Sequence, residues 1–467
     1  MADAYTAMSI LRFNQESIYK NQYNVENVYF HLNVTDLITT SSYYGVELYT
    51  KDGTTYYYDG YRAETIRGDL FKAFGGRTVT VVLVSSTSIP GLTYETTDAS
   101  AYYALNTWDS AAAKNVQKLL TNIAESMGSY VDYWCIGNEV DMPINYNYMG
   151  QNVALSTYVT RYTKLLKMVY DTMKKKNSNV AVLVPLDQGW THSGNGHYSS
   201  RELLDQINVN PQSANVNWGV ALHPYPFDLK SADWWNDVER HGGSVNMSLN
   251  TDMYTMDNIE VVSKYIADNY KYNGKRRPIL VTEVGFNAYS NGSYNENLQA
   301  AALAYAYYKA ETDPNIDLFI YNALNDHWDP SYNFGLMDTS YNHRAAYDTF
   351  LWMDVYSIGA AVTKPLLSTL GASSWTSLMP NLDTNAFRRQ CWLGDVGTNT
   401  DYYGEVTERG RQVYLKGMVC NYSGLVKCGK VYYYASNGYV DNLFTGNVTV
   451  NGRQYYVSKG IIMYRVS

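Results

Sequence analysis

Over its first 355 residues the chain alternates short apolar runs with amphipathic helical segments, and few folds accommodate that alternation. The runs are residues 28–33 (VYFHLN), 78–85 (TVTVVLVS), 131–138 (VDYWCIGN), 180–186, 218–223, 278–283 and 317–322. Residues 78–85 are β-branched and apolar on both faces, as a parallel strand covered on both sides requires. Between the runs, Val116, Leu119, Leu120 and Ile123 fall on one helical stripe. Tyr158, Tyr162, Leu165, Leu166, Val169 and Met173 form another, and three lysines follow it where the helix dipole favours cations. Strand and helix in turn predict a parallel sheet wrapped by helices. An eighth strand is placed at residues 5–13 (YTAMSILRF), which makes 131–138 strand four and 278–283 strand seven. The helix around residues 344–356 is then the eighth. The expected fold class is α/β: a (β/α)8 TIM barrel over residues 1–380 with a small β-hairpin-rich domain over 381–467. A doubly wound sheet shares the alternation, but the strand count and the acids described below favour the barrel.

Composition narrows the partners. With 46% hydrophobic and 17% charged residues the chain buries a core. A net charge of -8 argues against nucleic acid, and no apolar run is long enough to span a membrane. Met1-Ala2-Asp3-Ala4 lacks the basic start and apolar core of a signal peptide. Forty-eight tyrosines suit both β-rich packing and stacking on sugar faces. Of four cysteines, Cys135 sits in an apolar strand as a buried thiol, Cys420 and Cys428 are close enough to bridge a hairpin, and Cys391 is left over. No Cys/His cluster has zinc spacing, so neither metal nor cofactor is expected.

Two apolar strands end in glutamate. Trp134-Cys135-Ile136-Gly137-Asn138-Glu139 places an amide and an acid where a buried strand stops. Pro278-Ile279-Leu280-Val281-Thr282-Glu283 repeats the arrangement three strands later. One such glutamate alone reads as a strand-end ion pair. Two, on strands facing each other across a barrel, flank one bond from opposite sides, and glycoside cleavage needs that arrangement. Between them a strand ends in His223-Pro224-Tyr225, which puts Tyr225 beside Glu283. After the last strand come Asn322, Asp326 and Trp328, the last either a sugar platform or a barrel cap. Long insertions follow the fifth and sixth strands; the first carries Trp190, His192 and His197.

As a set, these features resemble the clan A glycoside hydrolases over roughly residues 5–355. The resemblance implies Glu139 as acid/base, Glu283 as nucleophile, Asn138 on the substrate 2-hydroxyl, and His223 and Tyr225 in support. Trp190, Trp328 and Asp326 complete the expected substrate contacts. Tyr103-Ala104-Leu105-Asn106-Thr107, Gly137-Asn138-Glu139-Val140 and Ala221-Leu222-His223-Pro224-Tyr225-Pro226 resemble a bacterial barrel family, domain of unknown function 5722, and add Asn106. Where many clan A enzymes carry an arginine after strand two, this chain has Asn33.

The tail repeats itself. Tyr433-Tyr434-Ala435-Ser436-Asn437-Gly438 returns as Tyr455-Tyr456-Val457-Ser458-Lys459-Gly460. This resembles aromatic-Gly hairpin repeats of cell-wall-binding and glucan-binding proteins, which implies wall or glucan contact and a secreted or cell-surface location, with the signal peptide absent from this sequence. A β-cap on the barrel is the competing reading.

The expected function is retaining hydrolysis of β-linked bonds in a poly- or oligosaccharide. The alternative is a non-catalytic carbohydrate-binding barrel. A metal-dependent hydrolase using His192, His197 or His223 is a third, disfavoured by the lack of a compact ligand cluster in sequence.

Overall fold

The computed structural model describes residues 27–74, 78–290, 292–326, 332–353, 362–382 and, beyond these, short stretches between 391 and 466. Seven parallel strands form one sheet in sequence order: β1 (Asn27–Asn33), β2 (Thr78–Val84), β3 (Tyr133–Ile136), β4 (Ala181–Leu186), β5 (Trp218–Leu222), β6 (Ile279–Val281) and β7 (Leu318–Phe319). Each is followed by a helix: α1 (Gly60–Phe74), α2 (Ser110–Met127), α3 (Leu155–Met173), α4 (Ser200–Val209), α5 (Ile259–Asn269), α6 (Glu296–Thr312) and α7 (Ala345–Trp352).

The pleat sorts the strand residues onto two faces. Phe30, Leu32, Val81, Leu83, Trp134, Ile136, Val182, Val184, Val220, Ile279 and Val281 pack outward, in one cluster with the apolar stripes of the helices. Val82, Cys135, Leu183, Ala221, Leu280 and Leu318 form a second, separate cluster, with Tyr29 packed against it. All seven strands thus meet in a single interior cluster, which a flat sheet cannot arrange. The sheet curls into a barrel with a filled lumen.

Among the described residues β1 pairs only with β2 and β7 only with β6, so the described sheet is open between β1 and β7. The segment expected to close it, residues 5–13, lies outside the described residues. Counted from β1, Glu139 follows the third strand and Glu283 the sixth. The strands are also shorter than their apolar runs, ending at Ile136 and Val281, so both acids stand on the loops that leave the barrel.

An insertion after β1 forms a small antiparallel sheet from Ile38–Thr39, Gly45–Lys51 and Thr54–Asp59. Between Cys391 and Arg465 lies an antiparallel sheet of ten short strands. Both repeats of the tail occupy the second arm of a hairpin, Val431–Ser436 against Gly424–Cys428 and Arg453–Ser458 against Gly446–Val450. The second hairpin turns between Val450 and Arg453, with Gly452 at φ +76°, a conformation that glycine adopts without cost. Leu425, Val448, Tyr455, Val457 and Ile462 give this region a small core. Cys420 lies outside the described residues, and Cys428 stands in register with Cys391, the cysteine left over in the sequence reading. No helix among the described residues is long and apolar enough to cross a membrane.

Candidate active site

Glu139 is set by a sharp departure of the chain from β3. Gly137 N–H still donates to Leu83 O, but at φ +80°. A Cβ at Gly137 would stand 3.0 Å from Val140 Cγ1 and 3.2 Å from Asn147 Oδ1, so a side chain fits neither the backbone nor the space. Glu139 itself sits at φ +38°, a conformation that costs roughly 1–3 kcal/mol and persists only where neighbours impose it. The bonds Val140 N–H to Pro185 O and Met142 N–H to Glu139 O impose it here. Glu283 follows one ladder bond beyond β6, Thr282 N–H to Leu222 O. Two residues later, a Cβ on Gly285 would overlap Asn322 O, so glycine lets this segment lie against the one after β7.

The two acids meet. One oxygen each from Glu139 and Glu283 and one ring nitrogen of His223 lie within 4.8 Å of one another. His223, fully buried at the end of β5, has Nδ1 2.9 Å from Glu139 Oε1 and 3.8 Å from Glu283 Oε2. Around Glu283 the contacts are numerous. Tyr29 donates its hydroxyl to Oε1 at 2.6 Å, and His31 Nε2 stands 3.6 Å from the same oxygen. Tyr225 donates to Oε2 at 3.2 Å and accepts from Asn322 Nδ2 at 2.7 Å. Both glutamate side chains keep 12% of their surface exposed, enough for a ligand to reach them.

These surroundings separate the two proton affinities. Burial pushes the Glu139 carboxyl up to about 7, against the His223 hydrogen bond and with help from the nearby Asp187 charge. Burial acts on Glu283 in the same direction but is outweighed by His223, His31 and the Tyr29 hydroxyl, which hold it down at about 2. The same three groups have the composition of a metal site, but His223 already meets Glu139 through Nδ1, and its Nε2 is buried without a partner.

The other expected contacts scatter. Asn138 is buried beside Glu139 with its side-chain oxygen unpartnered. Asn33 is turned to scaffold: its oxygen accepts from Thr35 N–H and Ser86 N–H, and its amide donates to Ser86 Oγ. Asn106 accepts from Asp109 N–H in the turn before α2. Trp190 is fully buried in the outer core and donates to Leu249 O. Asp326 is buried in an ion pair with Arg344 at 2.5 Å. Asn33, Asn106, Trp190 and Asp326 thus each bond a neighbouring loop or turn. Trp328 lies outside the described residues. The sequence reading missed Tyr29 and His31. Their signal was the alternation in residues 28–33, where Tyr29, His31 and Asn33 share the face opposite Phe30 and Leu32, an inward polar row on a barrel strand.

No curated protein matches this chain. Among solved structures it is similar to a family 39 glycoside hydrolase from the gut symbiont Bacteroides cellulosilyticus WH2, at 13% identity and TM-score 0.44, covering 99% of this chain and 76% of that one. It is also similar to a family 5 xyloglucanase from Paenibacillus pabuli, at 16% identity and TM-score 0.41, covering 74% and 88%. A third is the GH53 catalytic domain of Ignisphaera aggregans, at 15% identity and TM-score 0.44, covering 75% and 96%. Likenesses this distant assign no chemistry to the site. The model of one family matches residues 11–378, and the chain accordingly belongs to the Family of unknown function (DUF5722).

Proposed function

We propose that this protein is a retaining glycoside hydrolase that cleaves β-linked bonds in a poly- or oligosaccharide. The observation that carries the reading is the pair of adjacent carboxyls with separated proton affinities, Glu139 near 7 and Glu283 near 2. At neutral to mildly acidic pH one is a proton donor and the other an anion, the division of labour glycoside cleavage requires. One oxygen of each acid lies within 4.8 Å of one on the other, which favours the short carboxyl spacing of a double displacement, about 5–5.5 Å, over the roughly 6.5–9.5 Å that leaves room for an intervening water.

In the first step Glu283 attacks the anomeric carbon and Glu139 gives its proton to the glycosidic oxygen. The C–O bond breaks and a glycosyl ester forms on Glu283. In the second, Glu139, now a carboxylate, takes a proton from water as that water attacks the same carbon and frees Glu283. Tyr29, His31 and Tyr225 hold the attacking carboxylate ionised and aimed. Asn138, with its unpartnered oxygen, offers an acceptor to a sugar hydroxyl. Neither step needs a metal.

The test is a screen of aryl β-glycosides and polysaccharides with and without chelator, repeated on two variants. Hydrolysis should survive chelator and vanish in Glu283→Gln. Glu139→Ala should retain slow turnover of a substrate with a good leaving group, and added azide should release a β-glycosyl azide. Loss of activity with chelator supports a metal hydrolase instead. Carbohydrate binding without turnover supports the non-catalytic barrel.

A further inference from the structure

The candidate centre has two unlike sides. Among the described residues, the groups that meet Glu283 come from β1 and the segments after β5 and β7: Tyr29, His31, His223, Tyr225 and, through Tyr225, Asn322. On the side of Glu139 lies the long loop after β4, residues 187–199, which the steps above do not use.

That loop is fastened to the segment that carries the acid. Val140 N–H bonds Pro185 O, Asp187 N–H bonds Asp141 Oδ1 at 2.9 Å, and Tyr198 N–H bonds Asp141 O at 2.8 Å. Gly194, Asn195 and Gly196 all adopt positive φ, and Gly194 and His197 exchange both backbone bonds. The resulting turn rests on Ile144, whose Cδ1 would lie 2.7 Å from any Cβ at Gly196. It carries His197 to within 5.5 Å, ring to ring, of His192, and His192 Nδ1 stands 3.3 Å from Asp252 Oδ2. Asp187, His192 and His197 are all partly exposed. Asp187 is the acid whose charge bears most on Glu139, and the charges that act on Asp187 in turn are His197, His223 and His192. A carboxylate and two imidazoles, anchored by main chain and partly exposed, therefore stand on the loop fastened to the segment that carries the acid.

In a double displacement the acid stands on the side of the departing group, because its proton goes to the departing oxygen. We infer that Asp187, His192 and His197 form the binding site for the leaving saccharide, and that its occupant is a neutral, hydroxyl-rich sugar. The Asp187 carboxylate accepts hydroxyls and repels a uronic acid, while each imidazole both donates and accepts. The inference rests on the glycosidase reading and adds to it the chemistry of the leaving side.

The experiment compares 4-nitrophenyl β-glycosides with β-linked disaccharides of the same glycosyl unit (glucose, galactose, mannose and xylose), in wild type, His197→Ala, His192→Gln and Asp187→Asn. The nitrophenyl group leaves without a sugar contact, so its turnover also reports a folded catalytic centre. For each variant the ratio of kcat/KM for disaccharide over aryl glycoside should fall at least tenfold. With the glycosyl-enzyme formed from the aryl glycoside, free monosaccharide should compete with water as acceptor in wild type, and the variants should need higher acceptor concentrations to do so. Ratios within threefold of wild type in all three variants overturn the assignment, as does a wild-type preference for a uronic acid on the leaving side. A wild type that turns over none of the aryl glycosides fails at the earlier step and counts against the glycosidase reading itself.

Discussion

At the scale of single residues the site is a contrast between two glutamates in one polar pocket. Glu139 has one imidazole and a neighbouring aspartate; Glu283 has two imidazoles and two phenols. The reading predicts that kcat/KM is level through mildly acidic pH and falls above about pH 7, where Glu139 loses its proton. Tyr29→Phe removes the 2.6 Å donor from Glu283. A hydrogen bond to a charged group is worth roughly 1.5–3 kcal/mol, so this variant should lose about tenfold or more in kcat/KM, with its acidic limb moved to higher pH. A pH–rate profile checks both. Linkage gives the same groups opposite effects on stability. Glu139, raised from 4.5 to about 7 by folding, carries a cost that is absent below pH 4.5 and complete above pH 7, on the order of 3 kcal/mol at most. Glu139→Gln should therefore be more resistant to urea than wild type at pH 8 and converge with it near pH 4. Glu283, lowered by folding, contributes stability above pH 4.5 that is lost as pH falls toward 2. Glu283→Gln should be the less stable protein at pH 8. A Glu139→Gln variant that is less stable than wild type at pH 8 would show that its His223 contact outweighs burial.

At the scale of elements, strands are rails and the residues just past their ends are tools. The acids were legible in sequence because each follows an apolar run, where an unpaired charge has no structural reason to be. Glu139, Glu283, His223 and Tyr225 could be placed from that pattern alone. Asn33, Asn106, Trp190 and Asp326 have the same residue types in similar places, but their hydrogen bonds are local, to Thr35, Asp109, Leu249 and Arg344, and strand spacing does not reveal such bonds. The ordering of causes at Glu139 was also hidden. Burial and the Asp187 charge raise its proton affinity more strongly than repulsion from Glu283 does, and Asp187 belongs to another loop. The loops themselves hinge on glycine. Gly285→Ala drives a methyl into Asn322 O and should abolish activity together with several kcal/mol of stability, whereas Gly292→Ala, with nothing within 4 Å but φ +75°, should cost only about 1 kcal/mol. Urea titration of the two distinguishes a packing constraint from a backbone one.

For the whole molecule, the alternation of strands and helices foretold the barrel because most strands are apolar runs and helices such as α2 and α3 carry apolar stripes. The strand assigned to residues 5–13 lies outside the described residues, so the count from β1 places the acids after the third and sixth strands of the sheet. In the C-terminal region the repeats predicted hairpins, and the repeated segments are hairpin arms. We propose that this region is a separate glucan-binding or wall-binding unit. A protein ending at residue 382 should hydrolyse soluble substrate at an undiminished rate and lose retention on insoluble glucan; failure to fold would make the region a cap on the barrel instead. The double displacement depends on Glu283 becoming covalently glycosylated. The most direct measurement is therefore incubation with an activated 2-deoxy-2-fluoroglycoside of the preferred sugar, followed by intact mass and peptide mapping. One added fluoroglycosyl group on Glu283, absent in Glu283→Gln, is the predicted result. A label on any other residue, or steady hydrolysis with an inverted product and no label, contradicts it.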